Sequence, residues 1–506
     1  MLDYMCMRRI VLALMLLAPI AASAQYKDSP VQQDSTLLLT MDDALKIALS
    51  ENTSVKVADM EVQRQKYARK GAYGALFPQI SASGMYSYAI QKQKVFFGSD
   101  DESSGSSGGG GMASMMSSAF EPIMYYIEQL YRATSTPFVP YVAPEKEESK
   151  SSDPIEMGRR NQVQLGLSAS MPLVNAQLWE SLCITADQVE LAVEQARESR
   201  LGTVTQVKQA FYAVLMAKAS YDVYNAVFEN AAQNLKLTES KYNVHKASDL
   251  DLARAQSSLA AAIPNLYNAE NAIILSLWQL KAVMGLDLDR PVDVVGKLED
   301  YAQHMFYDLN EGAQASLDRN SQMRQLATQA EMLAKQIRMQ QFAYIPTLSM
   351  QVSYTYYTQS DKFNLSQWKW LPSSTMVFSL SIPIFSGGQR YYAIRQTRVQ
   401  ADELDLQRTN TERQLRIGIR QSLSTMDTAM KTYDAAKEAL TSAEKAYNIA
   451  SRSFEVGKST LTDLNNTELT LTQTRLQAAQ AVYNFVVAKA GLEQTLGYDF
   501  TQEYEN

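Results

Sequence analysis

Gln79-Ile-Ser-Ala-Ser-Gly-Met-Tyr-Ser-Tyr-Ala-Ile-Gln91 alternates along its length. Ile80, Ala82, Gly84, Tyr86, Tyr88 and Ile90 share one face, while Ser81, Ser83, Ser87 and Gln91 share the other. A period of two specifies a β-strand, because successive side chains leave a strand on opposite sides. Three further stretches repeat the pattern. Val163, Leu165, Leu167, Ala169 and Met171 alternate with Gln162, Gln164, Ser168 and Ser170. Leu348, Met350, Val352, Tyr354 and Tyr356 alternate with Ser349, Gln351, Ser353 and Thr355. Met376, Phe378, Leu380 and Ile382 alternate with Ser379 and Ser381. The expected strands are 79–91, 161–172, 347–358 and 374–383. One apolar face, one small polar face and a length of about 11 residues suit strands that cross an outer membrane.

A soluble sandwich face is the competing reading, but it needs more strands nearby, and the flanks are helical. Four strands cannot close a barrel, which takes about eight at least. Open sheet edges are not tolerated in lipid. The strands must therefore be pooled between copies of the chain. Two copies give about eight strands and three about twelve, and the residues alone do not choose.

Between Ala176 and Tyr242 there is no Pro and one Gly, Gly202. Positions 182, 186, 189, 193, 196, 200, 203, 207, 210, 214, 217, 221, 224, 228, 231 and 235 advance by alternating steps of four and three, and only Arg200 and Thr203 among them are polar. That rhythm is coiled-coil packing, and its many alanines let neighbouring helices approach closely. At helical rise the stretch is about 100 Å long. The second half has no Pro after Pro383, so a matching helix is expected over 389–454. Partner helices are expected over 249–284 and 461–496, with Gly285 and Gly497 at their C-caps. Another helix precedes each strand pair, over 41–75 and 310–343, and Thr40 with Asp43 forms a capping box at the first. Helices this long joined to a shared barrel read as a tube that continues its bore.

The two halves repeat one order of elements. Asn52, Pro78, Tyr86 and Tyr88 recur 268 residues later as Asn320, Pro346, Tyr354 and Tyr356. Tyr221, Val244, Lys246, Asp251, Leu252 and Gly285 recur 212 residues later as Tyr433, Val456, Lys458, Asp463, Leu464 and Gly497. The expected organisation is a signal peptide at 1–24, an arm at 25–40, a first repeat at 41–285, a linker at 286–309, a second repeat at 310–497 and a tail at 498–506. The fold class is α+β: an internally duplicated membrane protein with four outer-membrane strands per chain and long coiled-coil-like helices.

The N-terminus reads as an export signal. Arg8 and Arg9 precede the apolar run Ile10–Ala22, which is too short to span a bilayer, and Ala22-Ser-Ala24 is a small-residue cleavage site. No Cys follows at lipoprotein spacing, and no later segment reads as a transmembrane helix, so any span must be β. With 47 Lys+Arg against 54 Asp+Glu, the 506-residue chain carries a net charge of -7, which argues against nucleic acid as a partner. Two Cys exclude a disulfide scaffold. His245 and His304 lack ligands at metal spacing, so neither a metal nor a cofactor is expected.

Several motifs resemble the TolC family of outer-membrane efflux channels. Leu39-Thr-Met-Asp-Asp-Ala-Leu-Lys-Ile-Ala-Leu-Ser-Glu-Asn52 is similar to the family's opening. Pro172-Leu-Val-Asn175 and Pro383-Ile-Phe-Ser-Gly-Gly388 resemble its strand-to-helix joints. Tyr242-Asn-Val-His-Lys-Ala-Ser-Asp-Leu-Asp-Leu252 and Phe454-Glu-Val-Gly-Lys-Ser-Thr-Leu-Thr-Asp-Leu464 resemble its helix-hairpin tips, over 243–250 and 455–462. The set in order spans about residues 37–500. The resemblance implies a homotrimer in outer-membrane lipid, with a twelve-stranded barrel and a helical periplasmic tunnel. It implies a passive exit duct that meets a periplasmic adaptor and an inner-membrane transporter.

Ser248-x-x-Asp251 and Thr460-x-x-Asp463 each fit a capping box, and capping alone is the plainer account of both. By resemblance, Val244, Lys246, Ser248, Val456, Gly457, Lys458 and Ser459 face the adaptor, and Asp251 and Asp463 belong to the periplasmic constriction. The sequence also departs from the family pattern. Phe454 stands where a tyrosine is expected, Ser459 where an arginine is, and Asn466 where a second acidic ring position is. A closed tip held mainly by helix packing is the expectation.

Residues 91–160 read as an extracellular loop with the low-complexity run Ser103–Gly111. Its Gly105-Ser-Ser-Gly-Gly109 formally fits a nucleophile elbow but lacks the strand-turn-helix setting. Trp368 and Trp370, in the shorter counterpart loop, fit either an interfacial girdle or packing within the loop. Efflux of small toxic compounds is the leading function. Protein export through the same duct and a barrel-anchored surface trimer are the alternatives, and no constellation supports an enzyme.

Overall fold

The computed structural model describes residues 37–95, 123, 125–127, 155–303, 305, 316–363 and 368–498. The expected signal peptide, most of the arm, most of the 91–160 loop, His304, the first residues of the helix expected from 310 and nearly all of the tail lie outside the described residues. In chain order the elements are β1 (Leu37–Leu39), α1 (Met41–Glu51), α2 (Thr53–Tyr73), β2 (Gln79–Tyr88), β3 (Gln93–Val95), β4 (Ile155–Met157), β5 (Asn161–Val174) and α3 (Ala176–Asn243). There follow α4 (Asp249–Met284), β6 (Val292–Val294), α5 (Leu298–Ala302), α6 (Ser321–Phe342), β7 (Thr347–Ser360), β8 (Leu371–Ser381), α7 (Gln389–Glu455) and α8 (Leu461–Leu496). They form two compact units. Tyr73–Asn175 with Ile345–Ile384 forms one, and the rest of the chain forms the other.

The first unit is an antiparallel sheet in the order β2-β5-β7-β8. Its register aligns the alternating residues of all four strands. Ile80 pairs with Ala169, Ala169 with Val352, and Val352 with Met376, on one face. Ser81, Ser168, Ser353 and Thr375 line up next to them on the other. The Ser81 and Ser168 hydroxyls meet at 2.8 Å. β2 and β8 are the two edges, and every residue of both is exposed. Ile80 is 71% exposed and Phe378 59%, so the sheet presents an apolar face to its surroundings. The last strand is shifted from the expected 374–383 to Leu371–Ser381. β3 and β4 add a short ladder inside the region read as loop.

The second unit is helical. No described helix is long and apolar enough to cross a membrane. On α3 the expected seam is buried or half-buried at every position except Val193. Arg200, polar within that seam, is bound to Asp59 of α2 at 3.0 Å. Around Leu201–Ala217 burial extends beyond the seam to Val204, Thr205, Phe211 and Leu215. Here Val204, Val207, Phe211 and Val214 share one core with Leu39, Leu45, Leu280, Val292 and Val294. Residues 286–309, the expected linker, contain β6, which pairs in parallel with β1 at the end of the expected arm. One expectation is corrected here. The helix expected over 41–75 is broken at Asn52, whose side chain accepts from the N–H groups of Ser54 and Val55 and so starts a new helix.

Candidate functional site

α3 and α4 form one helical hairpin, α7 and α8 another, and their turns are built alike. At the first turn His245 takes a left-handed conformation, φ 55°. Its N–H donates to the Tyr242 carbonyl and that of Lys246 to the Lys241 carbonyl, both at 2.8 Å. At the second turn Gly457, φ 73°, takes the same place, with the Gly457 and Lys458 N–H groups donating to Phe454 and Ser453. These are Schellman closures, in which a left-handed residue lets two orphan carbonyls at the helix end find donors. Val244 and Val456 stand 61% and 68% exposed on the turns. Lys246, Ser248, Gly457 and Lys458 are also exposed, and Ser459 is half-buried.

Each turn then starts the next helix with a capping box. The Ser248 hydroxyl accepts from the Asp251 N–H at 3.1 Å and donates to Asp251 Oδ2 at 2.7 Å. Thr460 makes the same pair with Asp463, at 3.1 and 2.6 Å. The hydroxyl bonds, with the backbone N–H of each capping residue, hold both carboxyls below the usual carboxylate range. Both therefore stay ionised at neutral pH while capping their own helices. Asp463 is fully at the surface and Asp251 half-buried.

Phe454 is not at the surface. It is 7% exposed and packs with Ala255, Leu461 and Leu464, which draws residues of both hairpins into one small core. Lys241 of the first hairpin lies over the Phe454 ring, 4.3 Å from its centroid, and donates to the Phe454 carbonyl. Asn465 Nδ2 donates to Ser258 Oγ at 2.9 Å, again between hairpins. One turn further along α8, Glu468 is 8% exposed, and its Oε1 has no hydrogen-bond partner. Burial raises its carboxyl, against the opposing effect of a bond from Asn230 of α3. Burial, with the Glu468 charge nearby, also pushes the Tyr447 phenol up to about 12.

Sequence reasoning placed the turn residues but missed Lys241 and Glu468. Glu468 had a legible signal: it interrupts the buried stripe Leu461, Leu464, Leu471 at helical spacing. Lys241 had none, because its partner is Phe454, 213 residues away.

The chain matches the family model described as outer membrane efflux protein over residues 128–286 and 312–498. It belongs to the outer membrane efflux protein family. Family members are efflux channels of the outer membrane, not enzymes. A relative, outer membrane protein TolC of Escherichia coli, is 20% identical over 355 residues, covering 66% of this chain and 70% of that one. The fold is shared with solved outer membrane proteins. The CmeC outer membrane channel of Campylobacter jejuni superposes with a TM-score of 0.65 at 14% identity, covering 92% of this chain and 88% of that one. The outer membrane protein VceC of Vibrio cholerae superposes with a TM-score of 0.63 at 14% identity, covering 90% of this chain and 96% of that one.

Proposed function

We propose that this efflux-family chain is the outer-membrane exit duct of a tripartite system and conducts small toxic compounds from periplasm to exterior. One observation carries the reading: a four-stranded sheet whose two edges have no partner strand among the described residues and whose apolar face is exposed, in a chain whose other unit is long paired helices. Three copies complete a barrel of about twelve strands, edge to edge, and satisfy the backbone groups that lipid cannot. The helices form the periplasmic tunnel. Two matching bonds support reading the halves as copies: Asn52 donates to the Val283 carbonyl at 2.6 Å, and Asn320 to the Thr495 carbonyl at 2.7 Å. The duct is passive and needs no cofactor.

The hairpin turns are its working end. Val244, Lys246, Ser248, Val456, Gly457, Lys458 and Ser459 offer an exposed surface to a periplasmic adaptor, which couples the duct to an inner-membrane transporter. Asp251 and Asp463, repeated by the trimer axis, ring the constriction with negative charge and favour cations. Contacts such as Lys241 on Phe454 hold it closed.

A deletion strain challenged with a panel of toxic compounds tests the function. Hypersensitivity reversed by the cloned gene is expected, and unchanged resistance across the panel counts against it. For the constriction, Asp463→Ala should weaken cation preference of purified channels in a planar bilayer. Unchanged conductance and selectivity remove Asp463 from that role.

A further inference from the structure

Charge is distributed unevenly over the sheet. β2, β5, β7 and β8 contain no Asp, Glu, Lys, Arg or His. Neither do the described residues that lead from these strands into the helices, 73–78, 175, 345–346 and 382–384. Among the described residues of this unit, all eight charged side chains lie at the opposite end, where β2 and β5 pair at Tyr88–Asn161 and β7 turns into β8. Six are basic, Lys92, Lys94, Arg159, Arg160, Lys362 and Lys369, and two are acidic, Glu156 and Asp361. A local surplus of four positive charges thus sits on a chain whose net charge is -7.

The same end carries a chain of aromatic contacts. Tyr86 meets Phe363 edge-on at 6.2 Å, Phe363 meets Trp368 at 5.5 Å, and Trp368 meets Trp370 at 6.5 Å. Phe363 is 68% exposed. Basic residues occupy the same turn: Lys92 pairs at 2.9 Å with Asp361, two residues from Phe363, and the Arg160 backbone N–H donates to the same carboxylate at 3.2 Å. Aromatic side chains mark the depth where acyl chains meet headgroups. Basic side chains just beyond that depth meet whatever charge the headgroups carry.

We propose that this aromatic and basic rim binds the phosphate groups of phosphorylated lipids in the outer leaflet around the barrel. The assignment rests on the outer-membrane reading above, which puts the end away from the helices outside. Charge complementarity selects a phosphorylated headgroup over a zwitterionic or neutral one. The rings fix the depth, and Arg159, Arg160, Lys362 and Lys369 are all exposed to reach the phosphates. The competing occupant is the chain's own segment 96–154, which has nine acidic and three basic residues.

The test uses the full-length protein in detergent, with bisphosphorylated lipid A and its enzymatically dephosphorylated form as probes, read by native mass spectrometry. The wild type should retain the phosphorylated form at least about tenfold better. The variant Arg159→Gln/Arg160→Gln/Lys362→Gln/Lys369→Gln should lose that preference while keeping its trimer band on an unheated gel. Equal retention of both lipids by the wild type overturns the proposal, and so does a variant that keeps the preference. A preference that appears only after deletion of residues 96–154 assigns the rim to the acidic segment and also overturns it. Failure to insert into neutral phosphatidylcholine vesicles counts against the outer-membrane reading itself. Normal insertion without phosphate preference sinks only the lipid site.

Discussion

Gly497 and Gly285 close α8 and α4 in the left-handed region, at φ 70° and 75°. Both also sit against backbone. A Cβ on Gly497 runs into the Arg319 carbonyl, and one on Gly285 comes within 2.7 Å of the Glu51 carbonyl oxygen. Gly497→Ala therefore combines a left-handed penalty of about 1–2 kcal/mol with a clash against the Arg319 backbone, which must shift to relieve it. It should lower the melting temperature more than Gly285→Ala does, as thermal melts of the two variants will show. Glu468 is a different kind of residue-scale cost. Burial raises its carboxyl above the ordinary value of 4.5, so the unfolded chain ionises first as pH rises. The penalty is absent in acid and grows through the window between the unfolded and folded values. Glu468→Gln keeps an acceptor for Asn230 and removes the charge. It should stabilise the protein by about 1–2 kcal/mol at neutral pH and lose that advantage toward pH 4.5, measured by melts across pH.

At the tips the two hairpins meet through the Phe454 core, Lys241 and Asn465, the contacts proposed to hold the constriction closed. Lys241 supplies two of them, over the Phe454 ring and to its carbonyl. A cation on an aromatic face contributes about 0.5–2 kcal/mol. Lys241→Ala should therefore raise the basal conductance of channels in a planar bilayer while the far-ultraviolet helical signal stays unchanged. Phe454→Ala opens a cavity in the same core and should raise it further. The helices, their Gly caps and both capping boxes were legible because each depends on residues within a few positions of one another. Lys241 on Phe454, Asn465 on Ser258 and β1 beside β6 were not legible, because each joins segments far apart in sequence and carries no local periodicity. Asn52 was legible as a repeated residue but not as a helix break. Its side-chain oxygen accepts from the Ser54 and Val55 N–H groups while its amide donates to the Val283 carbonyl, 231 residues away, a partner no local pattern announces.

For the whole molecule the deciding question is which face of the sheet meets lipid. Leu167 and Ser168 are neighbours on β5 and point to opposite faces. Leu167 lies between Ala82 and Tyr354, and Ser168 between Ser81 and Ser353. If the apolar face is the outer surface of a pooled barrel, an arginine at Leu167 must enter hydrocarbon, at about 2–4 kcal/mol per chain near mid-depth. Three copies multiply that cost, so Leu167→Arg should abolish the folded trimer in outer-membrane fractions. Ser168→Arg adds the same charge one residue away, into water. It should leave assembly intact and shift the channel's ion preference toward anions. Equal tolerance of the two substitutions contradicts the face assignment, since an apolar face packed against lipid must reject the arginine that a water-facing position accepts.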